Sequence, residues 1–216
     1  MSSPSDAPVR AAGTRTRSGN AMLRTRSAIL DATAVCIERY GVRKTTMSDV
    51  SSRAGVAKAT LYNHFRTKDD LLAALELSRV ESVGTAAAAQ PSLGGALAHA
   101  ARELATSAPL RRVAADEPAV LVSLVTPAES RGWVAARDAI RRVLTSAGAA
   151  ADPPAVDLVL RWLAGHVLWA ATPEESLLGA EVLAAGLQAR PPAEEPAAPA
   201  AQPEAADATA GLGWPG

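Results

Sequence analysis

The sequence has very little cysteine, aromatic residue, isoleucine or lysine. Cys36 is the single cysteine, so an intrachain disulfide is excluded. Aromatic residues make up 3% of the chain, which leaves little material for strands built from aromatic and β-branched side chains. The three histidines include His99 and His166, and neither stands at a Cys, Asp or Glu spacing that reads as a metal site. No run approaches the ~18 consecutive apolar residues of a membrane span, so no membrane association is expected. The first residues carry no apolar h-region, so no secretory signal is expected and the cytoplasm is the expected location. There are no paired carboxylates on one face, no Ser- or Cys-His arrangement and no phosphate-cradling glycine loop. The reading is therefore not an enzyme, with no cofactor and no metal.

What remains is helical material. Apolar residues make up 48%, much of it alanine, which favours closely packed helices and an all-α fold. The net charge of zero hides two opposed parts. From Arg10 to Lys68 stand 12 Lys and Arg against 3 Asp and Glu, a balance of +9. The remainder holds 10 against 19, a balance of −9. A basic N-terminal part points to phosphate contact, and acidity elsewhere keeps the wrong surface off nucleic acid.

Composition and periodicity divide the chain into four parts. Residues 1–20 read as a disordered basic arm of Ser, Ala, Pro, Gly, Thr and Arg. Residues 21–67 read as a helix-turn-helix domain and 68–190 as a second helical domain. Residues 191–216 read as a disordered Pro/Ala-rich tail. The first helix is expected over Leu23 to Tyr40, with Ile29, Leu30, Thr33, Cys36, Ile37 and Tyr40 on one stripe and Gly41 as the stop. Further helices are expected at about 92–107, 117–126, 128–147, 154–171 and 174–189, with prolines at or near their starts. Pro109 reads as following a helix end. Cys36 reads as a small core residue.

The most informative stretch is Ser48 to Lys68. Val50 and Ala54 share one face of a short helix that Gly55 can end in a left-handed conformation. Leu61 and Phe65 share the inner face of a second short helix, leaving Ala59, Thr60, Tyr62 and Asn63 outside. Thr46 with Asp49, and Thr67 with Asp70, have capping-box spacing. A slender helix set at a sharp angle to its predecessor is what the DNA major groove admits.

Arg26 to Leu72 resembles the tetracycline-repressor (TetR) family of bacterial regulators. The resemblance rests on Ile29-Leu30-Asp31-Ala32, Gly41, Thr45-Thr46, Asp49-Val50, Ala54-Gly55-Val56, Thr60-Leu61-Tyr62, His64-Phe65, Lys68 and Leu71-Leu72. It implies phosphate contacts from Thr46, Tyr62 and Lys68, with His64 assisting. It also implies base-edge contacts from Lys58, Ala59 and Thr60, with Asn63 on the same outer face. Ser48 stands where an arginine is frequent, so the first short helix should read less sequence. Ala57 stands where a capping serine is frequent, and Ser51 replaces a usual alanine.

The resemblance further implies a homodimer through about residues 154–189 and an operator of double-stranded DNA with inverted repeats. It also implies a small-molecule effector held in the C-terminal domain. Candidate pocket residues are His99, Arg102, Trp133, Arg137, Trp162 and His166, around an apolar cavity suited to a lipophilic effector. Two functions follow. One is a repressor released from its operator by such an effector; the other is a DNA-binding regulator without one, constitutive or controlled by a protein partner.

Overall fold

A computed structural model describes residues 13–190 apart from 128 and 170, with side chains from Gly19 onward. The tail expected over 191–216, and residues 1–12 of the expected arm, lie outside the described residues. From Gly13 the chain is already helical. The described residues form ten α-helices and no strand.

Helix α1 (Gly13–Lys44) begins ten residues ahead of the expected start. Its inner stripe buries Ile29, Leu30, Thr33, Cys36 and Ile37 as the periodicity predicts. Burial pushes the Cys36 thiol up from its ordinary range, in keeping with a packing role. Thr33 satisfies its buried hydroxyl by donating to the Ile29 carbonyl at 2.7 Å. Tyr40 departs from the expected stripe: it is exposed, with the Arg39 guanidinium 5.2 Å from its ring centroid. The helix is there at its last turn, just before Gly41 breaks it at φ 81, ψ 170.

Helices α2 (Met47–Ala54), α3 (Lys58–His64) and α4 (Lys68–Ala88) follow. Thr46 and Asp49 close a reciprocal capping box at the start of α2, and Thr67 and Asp70 close another at α4. Gly55 ends α2 at φ 66, where its amide donates to the Ser51 and Ser52 carbonyls. Helix α4 runs through both cores. Leu71 and Leu75 belong to the first, with Ile29, Val50, Leu61 and Phe65, while Ala87 belongs to the second.

The rest is α5 (Leu93–Thr106), α6 (Ala108–Asp116), α7 (Pro118–Val125), α8 (Arg131–Ser146), α9 (Pro153–Leu168) and α10 (Pro173–Ala189). Helix α6 was not expected. Pro109 does not follow an end; it occupies the first turn of α6, where a missing amide hydrogen costs nothing. This helix packs on α1, and its Val113, with Leu121 of α7, completes the first core. The first core therefore draws on residues beyond the expected boundary at 67. The second core joins α5, α8, α9 and α10 through Leu97, Leu144, Val159 and Ala184. Helices α4 and α8 approach closely because Gly84 faces Ala139, where a side chain on Gly84 would collide.

Candidate nucleic-acid interface

Helix α3 is held from beneath. Leu61 is fully buried and Phe65 nearly so. The Arg26 guanidinium of α1 lies 4.5 Å over the Phe65 ring. Ala57 provides no side-chain cap, so the seven-residue helix depends on these contacts rather than on its own start. Held this way, it leaves Ala59, Tyr62 and Asn63 exposed, as the sequence predicts, with Lys58 exposed as well, whereas Thr60 is half-buried. His64 is half-buried and its ring centroid is 6.3 Å from that of Phe65, so it leans toward the core side. Ser48 and Thr46 are exposed on α2 and its cap. Ser51 is buried without penalty because its hydroxyl donates to the Ser48 carbonyl at 3.0 Å. Arg43, Lys44, Arg53 and Arg66 are exposed on the segments flanking α2 and α3, which makes this end of the molecule basic.

Lys68 is engaged within the protein. Its ammonium donates to the Val42 carbonyl at 2.5 Å and the Arg43 carbonyl at 3.1 Å, leaving one N–H uncommitted. The same two residues are gripped from the other side by Glu117, which sits at the α6–α7 junction. Its carboxylate accepts from the Val42 amide at 3.2 Å and the Arg43 amide at 3.0 Å. A cation from α4 and an anion from the α6–α7 junction thus hold both polarities of one dipeptide at the end of α1. Sequence reasoning missed Glu117. Its position directly before Pro118 marks a helix start and says nothing about a partner 75 residues away.

Behind this end lies a cavity of about 900 Å³. Its wall is mostly aliphatic and is shared by α1 and by α4 through α9; Val42, Leu72, Leu110, Val113, Leu144 and Val167 are among the residues it touches. It reaches beyond the expected C-terminal domain of 68–190, back to Asp31 and Val42 of α1. Of the six expected wall residues only Trp133 lines it. His99 meets Arg102 at 3.0 Å between Nδ1 and Nη2, one turn apart on α5. Arg137 pairs with Asp157 at 3.7 Å, its guanidinium 5.7 Å from the Trp133 ring centroid. Trp162 and His166 stack edge to face at 4.4 Å, and Trp162 lies against Gly179 of α10. Arg137 and Trp162 thus have partners on neighbouring helices, while His99 with Arg102 and His166 with Trp162 are paired within their own helix.

Glu76 of α4 was missed and does line the cavity. Its carboxylate packs against Gly132 of α8, and burial pushes it above the usual carboxylate range. The available hint was a lone glutamate within the apolar run from Leu71 to Leu77.

Residues 29–75 match the family model TetR_N, described as bacterial regulatory proteins, tetR family. That stretch, from α1 into α4, is a tetR-family DNA-binding region. Its α2–α3 unit is accordingly the helix-turn-helix of a DNA-binding regulator. No curated protein matches the chain. Among solved structures, the TetR-family repressor AlkX from Dietzia sp. strain DQ12-45-1b, implicated in biodegradation of n-alkanes, is similar at 21% identity and TM-score 0.59, over 76% of this chain and 95% of that one. GusR from Salmonella enterica is similar at 21% identity and TM-score 0.53, over 76% and 94%. A TetR-family member from Streptomyces coelicolor A3 is similar at 22% identity and TM-score 0.53, over 74% and 95%. At these identities the likeness is one of fold, and it extends through the C-terminal helices that the family model does not reach.

Proposed function

We propose that this chain is a TetR-family transcriptional repressor, working as a cytoplasmic homodimer and released from its operator by a small lipophilic effector. It has no catalytic step. The observation that carries the proposal is the shared wall of the cavity. Its lining includes α1, which carries the helix-turn-helix, and α4, which leads out of it. A ligand that favours one arrangement of these helices over another shifts DNA affinity by the difference in its own affinity for the two. The volume also speaks against a regulator without an effector, since about 900 Å³ falls in the range of ligand sites.

On DNA, α3 enters the major groove. Lys58, Ala59 and Thr60 meet base edges, while Tyr62, Thr46 and the remaining N–H of Lys68 meet phosphates. Asn63 and His64 flank that surface, and Ser48 is too short to read a base. The dimer forms through α9 and α10. Support comes from their exposed apolar residues: Leu158 and Leu168 with Trp169 on one, Leu177, Leu178 and Val182 on the other. A two-fold axis through that face gives an operator of inverted repeats. The test is a gel shift on the promoter region beside the gene at low salt. A shifted band that protects an inverted repeat is expected; failure to bind any inverted repeat there overturns the proposal.

A further inference from the structure

The cavity is apolar in its walls but one-sided in its charge. Five carboxylates line it, those of Asp31, Glu38, Asp69, Glu76 and Glu103, against a single cation, Arg79. Arg79 is already paired with Asp31 at 3.3 Å. Glu38, Asp69 and Glu103 are exposed and mark the mouth, whereas Glu76 is half-buried further in. Among the described residues Glu76 takes part in no hydrogen bond or ion pair, and its carboxylate lies against Gly132 of α8. The next residue, Trp133, is buried and lines the same space.

A carboxylate drawn out of water without a partner weakens a fold, and a bound positive charge would restore the balance. An acidic mouth raises the local concentration of cations and repels anions. Among the described residues these carboxylates do not gather into a group that could hold a metal ion, and the walls around Glu76 are aliphatic, so the charge should sit on an apolar body. Trp133 lines the same space, but its ring already faces the Arg137 guanidinium at 5.7 Å, so the attraction rests on Glu76. The geometry points to a lipophilic organic cation as the occupant of this cavity, with Glu76 as its counter-charge and Trp133 alongside. The inference rests on the reading of the cavity as an effector site and names the class of effector.

The test uses two probes of the same shape and opposite charge, tetraphenylphosphonium and tetraphenylborate. Each is titrated into the full chain by calorimetry and added to the operator gel shift. The phosphonium should bind at least about tenfold more tightly than the borate. Glu76→Gln should lower phosphonium affinity by about tenfold, the scale of one charge pair in a partly desolvated site, and leave borate unchanged or improved. Glu103→Gln, at the solvated mouth, should change it by less than about threefold. Equal or tighter binding of the borate, absence of phosphonium binding, or a Glu76→Gln chain that binds phosphonium unchanged would each overturn the inference. Glu76-dependent phosphonium binding that leaves the operator complex intact would uphold it while removing ligand release. Operator release by the borate alone would do the reverse.

Discussion

At the scale of single residues, Lys58 and Lys68 separate reading from positioning. Lys58 is exposed on α3 and free to meet a base edge. Lys58→Ala should relax sequence preference, seen as a smaller ratio of operator to random-duplex affinity. Lys68→Ala should weaken binding to every duplex and lower the salt slope by about one. Because its ammonium also serves the Val42 and Arg43 carbonyls, the change should cost about 1 kcal/mol in urea unfolding without DNA. Glu76 carries a different expectation. Its carboxyl is raised in the folded chain, so the unfolded chain releases its proton first as pH rises, and stability falls across that interval. Glu76→Gln should therefore melt higher than the parent at pH 7. The difference should close as the pH drops below the ordinary glutamate value of about 4.3. Melting curves that stay parallel down to pH 4 would contradict this.

At the scale of elements, the break in α1 is the sharpest constraint. Gly41 adopts φ 81, ψ 170, a region open essentially to glycine, and a Cβ there would meet the Glu117 carboxylate. Gly41→Ala should cost about 1–3 kcal/mol from backbone strain, with some further loss from displacing Glu117. Denaturant midpoints measure it. This break was legible in the sequence, as were the capping boxes of α2 and α4 and the buried faces of α2 and α3, because each depends on neighbours within a few residues. Helix α6 was not legible, since a proline just past one helix looks the same whether it stops that helix or opens the next. The early start of α1 was hidden by Ser, Thr, Gly and Arg, which show no apolar period. The cavity wall was the least legible. Trp162 and His166 looked like ligand-site residues by type, yet Trp162 lies against Gly179 of α10 and His166 packs on Trp162. Glu76 and Glu117 gained their meaning from helices packed against them across the fold, and no local pattern reports that.

At the scale of the whole molecule, the proposed dimer predicts that the outer faces of α9 and α10 decide assembly. Leu178 and Val182 lie one turn apart and are each 67% exposed, an apolar pair that solvent alone does not explain. The double change Leu178→Asp with Val182→Asp should give a folded monomer by light scattering. That monomer should lose operator binding, because one half-site contact cannot hold the complex. A dimer of unchanged mass would move the interface elsewhere. The dipeptide Val42-Arg43 also offers a gauge of communication across the molecule. Its two amides are bonded by a side chain from the α6–α7 junction and not by their own helix, so their hydrogen exchange reports how often that junction lifts away. Glu117→Ala should speed exchange at these two amides and leave those around Thr33 slow. On the proposed release by an effector, a ligand that strains α6 should do the same without any mutation, so these two backbone protons would report the proposed link between cavity and DNA.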